Sequence, residues 1–191
     1  VSSRNVDKGR EAENAVATFL QGVGFPHAER RSKRGGTVQV ECPACRGAGS
    51  YPVIYSEGVL RSACGECDDG MATVPADAGD LTGIPGVVIQ VKWSGYKPLA
   101  EDMRRTEEQR RAGRADVGLL VRKRKAVGMA RAGEWDAYLP QWALPWLLVE
   151  SRHYPSPPDT TDTAVWHTDL ATAARLIARA GYGARTLENA L

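Results

Sequence analysis

The chain has 191 residues, 42% of them hydrophobic, and a formal net charge of +2. That is enough apolar material for a real core, which excludes wholesale disorder, and the length suits one domain or one domain with a small module. No apolar run approaches the roughly 18 residues of a membrane span, and no charged-then-apolar leader opens the sequence. A soluble, intracellular (cytoplasmic) protein without membrane contact is expected.

Asp7 to Val23 reads as the first helix. Ala12, Val16, Phe19, Leu20 and Val23 share one face at helical spacing, and Gly22 and Gly24 mark the end. Glu13 lies at the flank of that stripe, about 100° from Ala12, so it can point along the core edge into a cleft. An exposed Glu on an amphipathic helix is the plainer reading. A Gly-Phe-Pro break follows, and His27 to Arg34 reads as the first strand. Its basic end, Arg30, Arg31, Lys33 and Arg34, fits either a DNA backbone or a solvated loop.

Cys42-Pro43-Ala44-Cys45 and Cys64-Gly65-Glu66-Cys67 form C-x2-C-x18-C-x2-C and use all four cysteines. Two such knuckles give four thiolates in tetrahedral array around Zn²⁺, closed to water and therefore structural. Two disulfides are the alternative, which an intracellular protein disfavours. The zinc element, residues 37–71, reads as an insertion whose fold depends on its metal, because so few residues bury little core. Tyr51, Tyr55 and Arg61 in its loop suit contact with a base or backbone, or the loop serves as a rigid strut or dimer contact.

Gly83-Ile84-Pro85-Gly86 spells a turn, and Val87 to Trp93 is a short β-branched run that reads as a buried strand. A hairpin centred near Pro85 places Asp80 opposite Gln90. Side chains alternate along a strand, so Gln90 and Lys92 share one face while Ile89 and Val91 share the other. A hard cation, Mg²⁺ or Mn²⁺, would take oxygen from Asp80, the Gln90 side chain and the Val91 carbonyl. Lys92 would then orient a water and steady charge on a phosphate. A hairpin with an ordinary surface Asp and Lys is the bland counterpart.

After a turn from Trp93 to Pro98, Leu99 to Arg114 reads as a helix with Arg104, Arg105, Arg110 and Arg111 on its surface. Ala115 to Val121 is a second buried strand running into Arg122-Lys123-Arg124-Lys125. Between Arg104 and Arg131 stand ten Arg or Lys against three acids, a local basic face able to hold phosphates. Trp135 to Val149 reads as a last strand and a short helix, its aromatics more suited to packing than to stacking on bases. Residues 151–163, rich in Pro, Ser, Thr and Asp, read as a linker. Thr168 to Arg179 reads as a closing amphipathic helix within a tail spanning residues 164–191.

Several of these stretches carry a resemblance. Asp80-x9-Gln90-x-Lys92 after a glycine resembles the core motif of the PD-(D/E)XK nuclease superfamily. The string Gly79 to Gly86 followed by Val88-Ile89-Gln90-Val91-Lys92 is similar to the small Holliday junction resolvase-like nucleases of actinobacterial phages. Lys8-Gly9-Arg10-Glu11-Ala12-Glu13 resembles the Lys-Gly-Arg-x-Ala-Glu start of archaeal Holliday junction resolvases, which implies a metal-ligand role for Glu13. Glu107-Glu108-Gln109-Arg110 looks like the Glu-Ala-Gln-Arg segment of the phage family, which implies that Gln109 approaches the active site. The run at Arg122, Lys123 and Arg124 is similar to the basic strand end of that family and implies contact with DNA phosphates. Position 90 departs from the usual Glu, although Mrr-type restriction nucleases are similar in carrying Gln. An amide keeps a carbonyl ligand and removes one negative charge, so metal affinity should fall. Cys42-x2-Cys45-Arg46-Gly47-Ala48-Gly49 resembles half of a DnaJ-type zinc module, which supports the zinc and nothing more.

The resemblance covers residues 8–34 and 79–148. It implies an α/β restriction endonuclease-like core over residues 1–150, with a mixed central β-sheet flanked by helices, plus the zinc-ribbon-like insertion. It also implies a Mg-dependent DNA endonuclease, Holliday junction resolvase-like, with Glu13, Asp80, Gln90 and Lys92 as catalytic residues. Two strands of a junction need two sites, so DNA, branched or four-way, and a homodimer are the expected partners. The alternatives are an Mrr-like restriction or repair nuclease on duplex DNA, or a catalytically inactive zinc-dependent DNA-binding protein.

Overall fold

The β-branched run at Val87, the apolar run at Val117 and the apolar stripe before Gly22 set the frame of the molecule. The computed structural model describes residues 3–31, 37–42, 45, 48–55, 58–65, 67–75, 78–93, 98–148 and 164–183. In chain order it has helix α1 at Ser3–Gln21, strand β1 at Glu29–Arg30, and four strands around the cysteines. These are β2 at Thr37–Glu41, β3 at Ser50–Tyr55, β4 at Gly58–Ala63 and β5 at Met71–Pro75. Then come β6 at Leu81–Thr82, β7 at Val87–Lys92, helix α2 at Leu99–Ala112 and β8 at Val117–Arg122. The chain continues with β9 at Asp136–Pro140, the short helix α3 at Leu144–Leu148, β10 at Val165–Asp169 and α4 at Leu170–Arg179.

One mixed sheet has the order β10-β9-β8-β7. β7 and β8 run parallel, in register from Val87 opposite Val117 to Lys92 opposite Arg122, and α2 makes the crossover that a parallel pair requires. The other two pairings are antiparallel. Ile89, Val91, Leu119 and Val121 share a core with Ala12, Val16 and Leu20 of α1 and with Leu170, Ala174 and Ile177 of α4. The opposite face receives α2. There Val88 packs with Ala78 and Ala115 in a small separate cluster. A Cβ at Gly118 would stand 2.7 Å from Glu107 Oε1 and 3.2 Å from Thr106 Cγ2, so α2 lies close over β8 at this glycine.

Five expectations need correction. Helix α1 begins at Ser3 rather than Asp7. The turn at Pro85 is present, with the Val87 amide donating to the Ile84 carbonyl at 3.1 Å. However, Leu81–Thr82 forms its ladder with β1 rather than with β7. Arg110 is not on the surface of α2 but buried, at 4% exposure. Finally, Val165–Asp169 is a strand on the edge of the main sheet, antiparallel to β9 from Val165 opposite Pro140 to Asp169 opposite Asp136. Helix α4 therefore starts at Leu170, where Asp169 Oδ1 accepts from the Thr172 amide at 2.7 Å and caps it. The stretch 151–163 expected as a linker lies outside the described residues.

The cysteine segment forms two nested antiparallel ladders, β2 with β5 and β3 with β4, and extends to Pro75 rather than Met71. Among the described residues no helix is long and apolar enough to cross a membrane.

Candidate functional site

The four cysteines converge at the mouths of the nested hairpins. Cys42 follows β2, Cys64 follows β4, and Cys67 stands just before β5. The Cys42 amide donates to the Gly70 carbonyl at 2.8 Å and the Cys64 amide donates to the Gly49 carbonyl at 2.9 Å, so each knuckle fastens the other. Sγ of Cys42 lies 3.8 Å from that of Cys64, and Sγ of Cys45 lies 3.5 Å from that of Cys67. All four lie within 4.8 Å of one another. A tetrahedron with Zn–S bonds of about 2.3 Å has edges of about 3.8 Å, whereas a disulfide needs about 2.05 Å. The thiols are free of disulfides and suited to a structural zinc. Burial pushes the Cys45 thiol up, but hydrogen bonds from Cys67, from the Gly49 backbone and from Cys42 and Cys64 outweigh it and leave it below the ordinary value. Burial, with hydrogen bonds to Cys45, Cys64 and Cys42, pushes Cys67 up to about 12 against the lowering bond from the Gly70 backbone, so a zinc binding here would expel protons from the cluster.

At the free edge of β7, Asp80 lies opposite Gln90. Its amide donates to the Ile89 carbonyl at 2.7 Å, and its Oδ2 accepts from the Val91 amide at 2.8 Å. Gly79 makes this approach possible, with φ at +83° and a would-be Cβ only 3.0 Å from the Ile89 oxygen. In an extended strand a residue's N–H and C=O point to the same side, so the Val91 carbonyl also faces the Asp80 edge. The Arg31 amide donates to the Asp80 carbonyl at 2.9 Å. Its neighbour Arg30 reaches α1, where Nη1 lies 3.8 Å from Oε2 of the nearly buried Glu13. Strand β1 thus links Glu13 to the Asp80 segment. Lys33 and Arg34 lie outside the described residues.

Gln90, 5% exposed, faces α2. Its Oε1 accepts from the Thr106 hydroxyl at 3.2 Å and its Nε2 donates to Gln109 Oε1 at 3.1 Å. Gln109 therefore meets the candidate residue directly. Thr106, which the sequence reading passed over, also lies 2.9 Å from the Asp102 carbonyl. Asp102, 1% exposed, takes Arg122 at 2.6 Å. Arg110 pairs with Glu107 at 2.9 Å, donates to the Ala115 carbonyl at 3.0 Å and stands 5.0 Å over the Trp142 ring. The inward side of α2 is polar, with Asp102, Thr106 and Arg110 at spacings of four. That periodicity is visible in the sequence to a reader who looks for polar as well as apolar stripes.

The basic strand end divides. Arg122 is held by Asp102, and Arg124 makes two bonds to Asp136 Oδ1, at 3.1 and 2.7 Å. His167 Nε2 joins the same oxygen at 3.0 Å while its ring stacks on Tyr138. Burial pushes the Asp136 carboxyl up, yet the Arg124 and His167 hydrogen bonds hold it below the usual carboxylate range. Lys123 turns elsewhere, its amide donating to the Lys92 carbonyl at 2.9 Å. Lys92 is half-buried at the C-terminal end of β7, on the Gln90 face.

Comparison with family models, with curated proteins and with solved structures finds no match to this chain. The functional reading rests on its own residues.

Proposed function

We propose that the chain is a divalent-metal-dependent DNA endonuclease of the Holliday junction resolvase-like kind, on a restriction endonuclease-like core. The observation that carries the reading is Asp80, fastened opposite Gln90 at the free edge of β7. Glu13 is tied to the same region through Arg30. The order α1, β1, β6, β7, α2, β8, with β7 and β8 parallel, is consistent with such a core.

The donor set fits Mg²⁺ or Mn²⁺, since Glu13, Asp80, Gln90 and the Val91 carbonyl all offer hard oxygen. When bound, the ion supplies positive charge that polarises a phosphate oxygen and acidifies a water. Asp80 keeps Oδ1 available while Oδ2 stays on the Val91 amide. Thr106 orients the Gln90 carbonyl and leaves it a second lone pair. Lys92 would place its ammonium against the phosphate and the attacking water. A symmetric dimer, checked by gel filtration with and without junction DNA, would supply one site for each cut strand.

A second reading has its own observation. Both polar atoms of the Gln90 amide are already engaged by α2, and the position lacks a negative charge. That favours a zinc-dependent DNA-binding protein that does not cut.

The test is cleavage of a four-way junction beside linear duplex of the same sequence, with Mg²⁺, by wild type and Lys92→Ala. Paired symmetric nicks in the junction alone, lost in the variant, are the expected result. Equal cutting of linear duplex would replace the resolvase by an Mrr-like restriction or repair nuclease. Bound but intact DNA would establish the non-cutting protein.

A further inference from the structure

Within Arg122-Lys123-Arg124 the two arginines are neutralised by Asp102 and Asp136, and the lysine between them is not. The Lys123 ammonium lies 4.9 Å from the centroid of the Trp93 ring and 5.8 Å from that of Trp135. A second ammonium, that of Lys8 on α1, lies 5.7 Å from the same Trp93 ring. Among the described residues no carboxylate pairs with Lys8, Lys92 or Lys123. Trp93 directly follows Lys92, so the Lys8 and Lys123 ammonium groups gather at the C-terminal ends of the parallel strands β7 and β8, one residue on from Lys92 and across the sheet from its face. Ligands of open α/β sheets bind at that end of the strands.

Two like charges drawn to one ring repel each other, and a partly exposed ring returns only about 0.5–1 kcal/mol to each. An anion between them resolves the conflict. Lysine ammonium groups act as strongly hydrated point charges with three donors each, which suits a phosphate diester better than a planar carboxylate. We propose that Lys8 and Lys123, both held against the Trp93 ring, clamp a single DNA backbone phosphate at this strand end. The clamp rests on the nuclease reading only for the presence of DNA at this strand end. It assigns the phosphate contact of the basic run to Lys123 alone and adds Lys8 and Trp93, which lie outside that run.

Binding and cutting separate the two claims. The dissociation constant of labelled junction DNA is measured by anisotropy with Ca²⁺ in place of Mg²⁺, over a salt series. The proteins are wild type, Lys8→Met, Lys123→Met, the double variant and Lys125→Met, which probes the exposed neighbour in the run. A thermal midpoint unchanged by the methionines, which keep the aliphatic stems, shows that each protein is folded. If one phosphate is shared, the slope of log K against log salt falls by about 0.9 in the double variant, and each single variant already loses most of it. A fall of about 1.8 means two separate phosphates and overturns the shared clamp. No fall, or an equal fall with Lys125→Met, overturns the assignment altogether. If wild type cuts junctions with Mg²⁺ while the slope is unmoved, the clamp fails and the nuclease stands. A slope that falls as stated in a protein that cuts nothing leaves the clamp standing without the nuclease. Lys123→Arg, which keeps the charge, restores the wild-type slope.

Discussion

Four sulfur atoms close the nested hairpins between Thr37 and Pro75, whereas the four-stranded sheet is closed by side chains drawn from α1, α3 and α4. Among the described residues of the hairpins, the buried hydrophobic cluster consists of cysteines themselves, Cys42, Cys45 and Cys64, with Cys67 against them. The sheet instead spreads its cohesion from Ala12 to Ile177, with Trp135 and Leu119 fully buried. A metal held by the four thiolates would make the first region fail as a unit on its removal. The other loses stability by increments, because no contact dominates. The sheet also has two unlike faces: aliphatic towards α1 and α4, and towards α2 a set of amides, hydroxyls and ion pairs that fixes Gln90 and Arg122 in place.

The largest expected effect tests the ion. Stripping metal with a chelator at neutral pH should abolish amide-exchange protection in β2 to β5, since structural zinc in small modules contributes about 10–16 kcal/mol. Protection in β8 should persist, and equal loss there would break the contrast between the regions. Next, Asp102→Ala leaves Arg122 buried without its carboxylate and should cost about 3–5 kcal/mol in urea unfolding. Asp102→Leu combined with Arg122→Met should recover most of that loss. Leu119→Ala, on the aliphatic face, should cost about 2–4 kcal/mol without changing zinc content. Gly118→Ala should cost about 1–3 kcal/mol by pushing α2 away from β8. The smallest effect is an acid limb. Asp136 has a folded pKa below its unfolded value, so its contribution is present above about pH 4 and disappears as pH falls through the lower, folded value. Asp136→Asn should flatten that limb in thermal midpoints measured from pH 5 down to 2.

The parts legible in the sequence are those whose signal is local. The C-x2-C spacing needs no tertiary context, because both thiolates of a knuckle fall on one turn of chain. Val87 to Lys92 announces itself as a β-branched run and Val117 to Arg122 as a short apolar one, and Gly83 to Gly86 as the turn before the first of them. Strand β10 is less legible. Val165-Trp166-His167-Thr168-Asp169 has no clean alternation of exposure and is read easily as the approach to the helix. The polar underside of α2 escapes because a search for apolar stripes passes over Asp102, Thr106 and Arg110. The division of the basic run is set by partners far along the chain. Arg122 meets Asp102 only once β8 lies beside β7 under α2, and Arg124 meets Asp136 only once β9 is laid down. Sequence charge alone makes those two arginines equal to Lys123.

Thr37 faces Pro75 across the ladder at the base of the zinc element. This changes the chain statistics of its surroundings. Strands β1 and β6, paired through only Glu29 with Thr82 and Arg30 with Leu81, are otherwise the ends of a loop of about fifty residues. With the hairpins closed, the stretch outside the ladders between those strands counts about a dozen residues, and the entropy of bringing them together falls by roughly 1 kcal/mol. A zinc held by the four cysteines would then act as a distant staple on β1, the strand whose Arg30 reaches Glu13. Metal occupancy in the hairpins and order at the Asp80 edge would then be linked quantities, with no contact required between them.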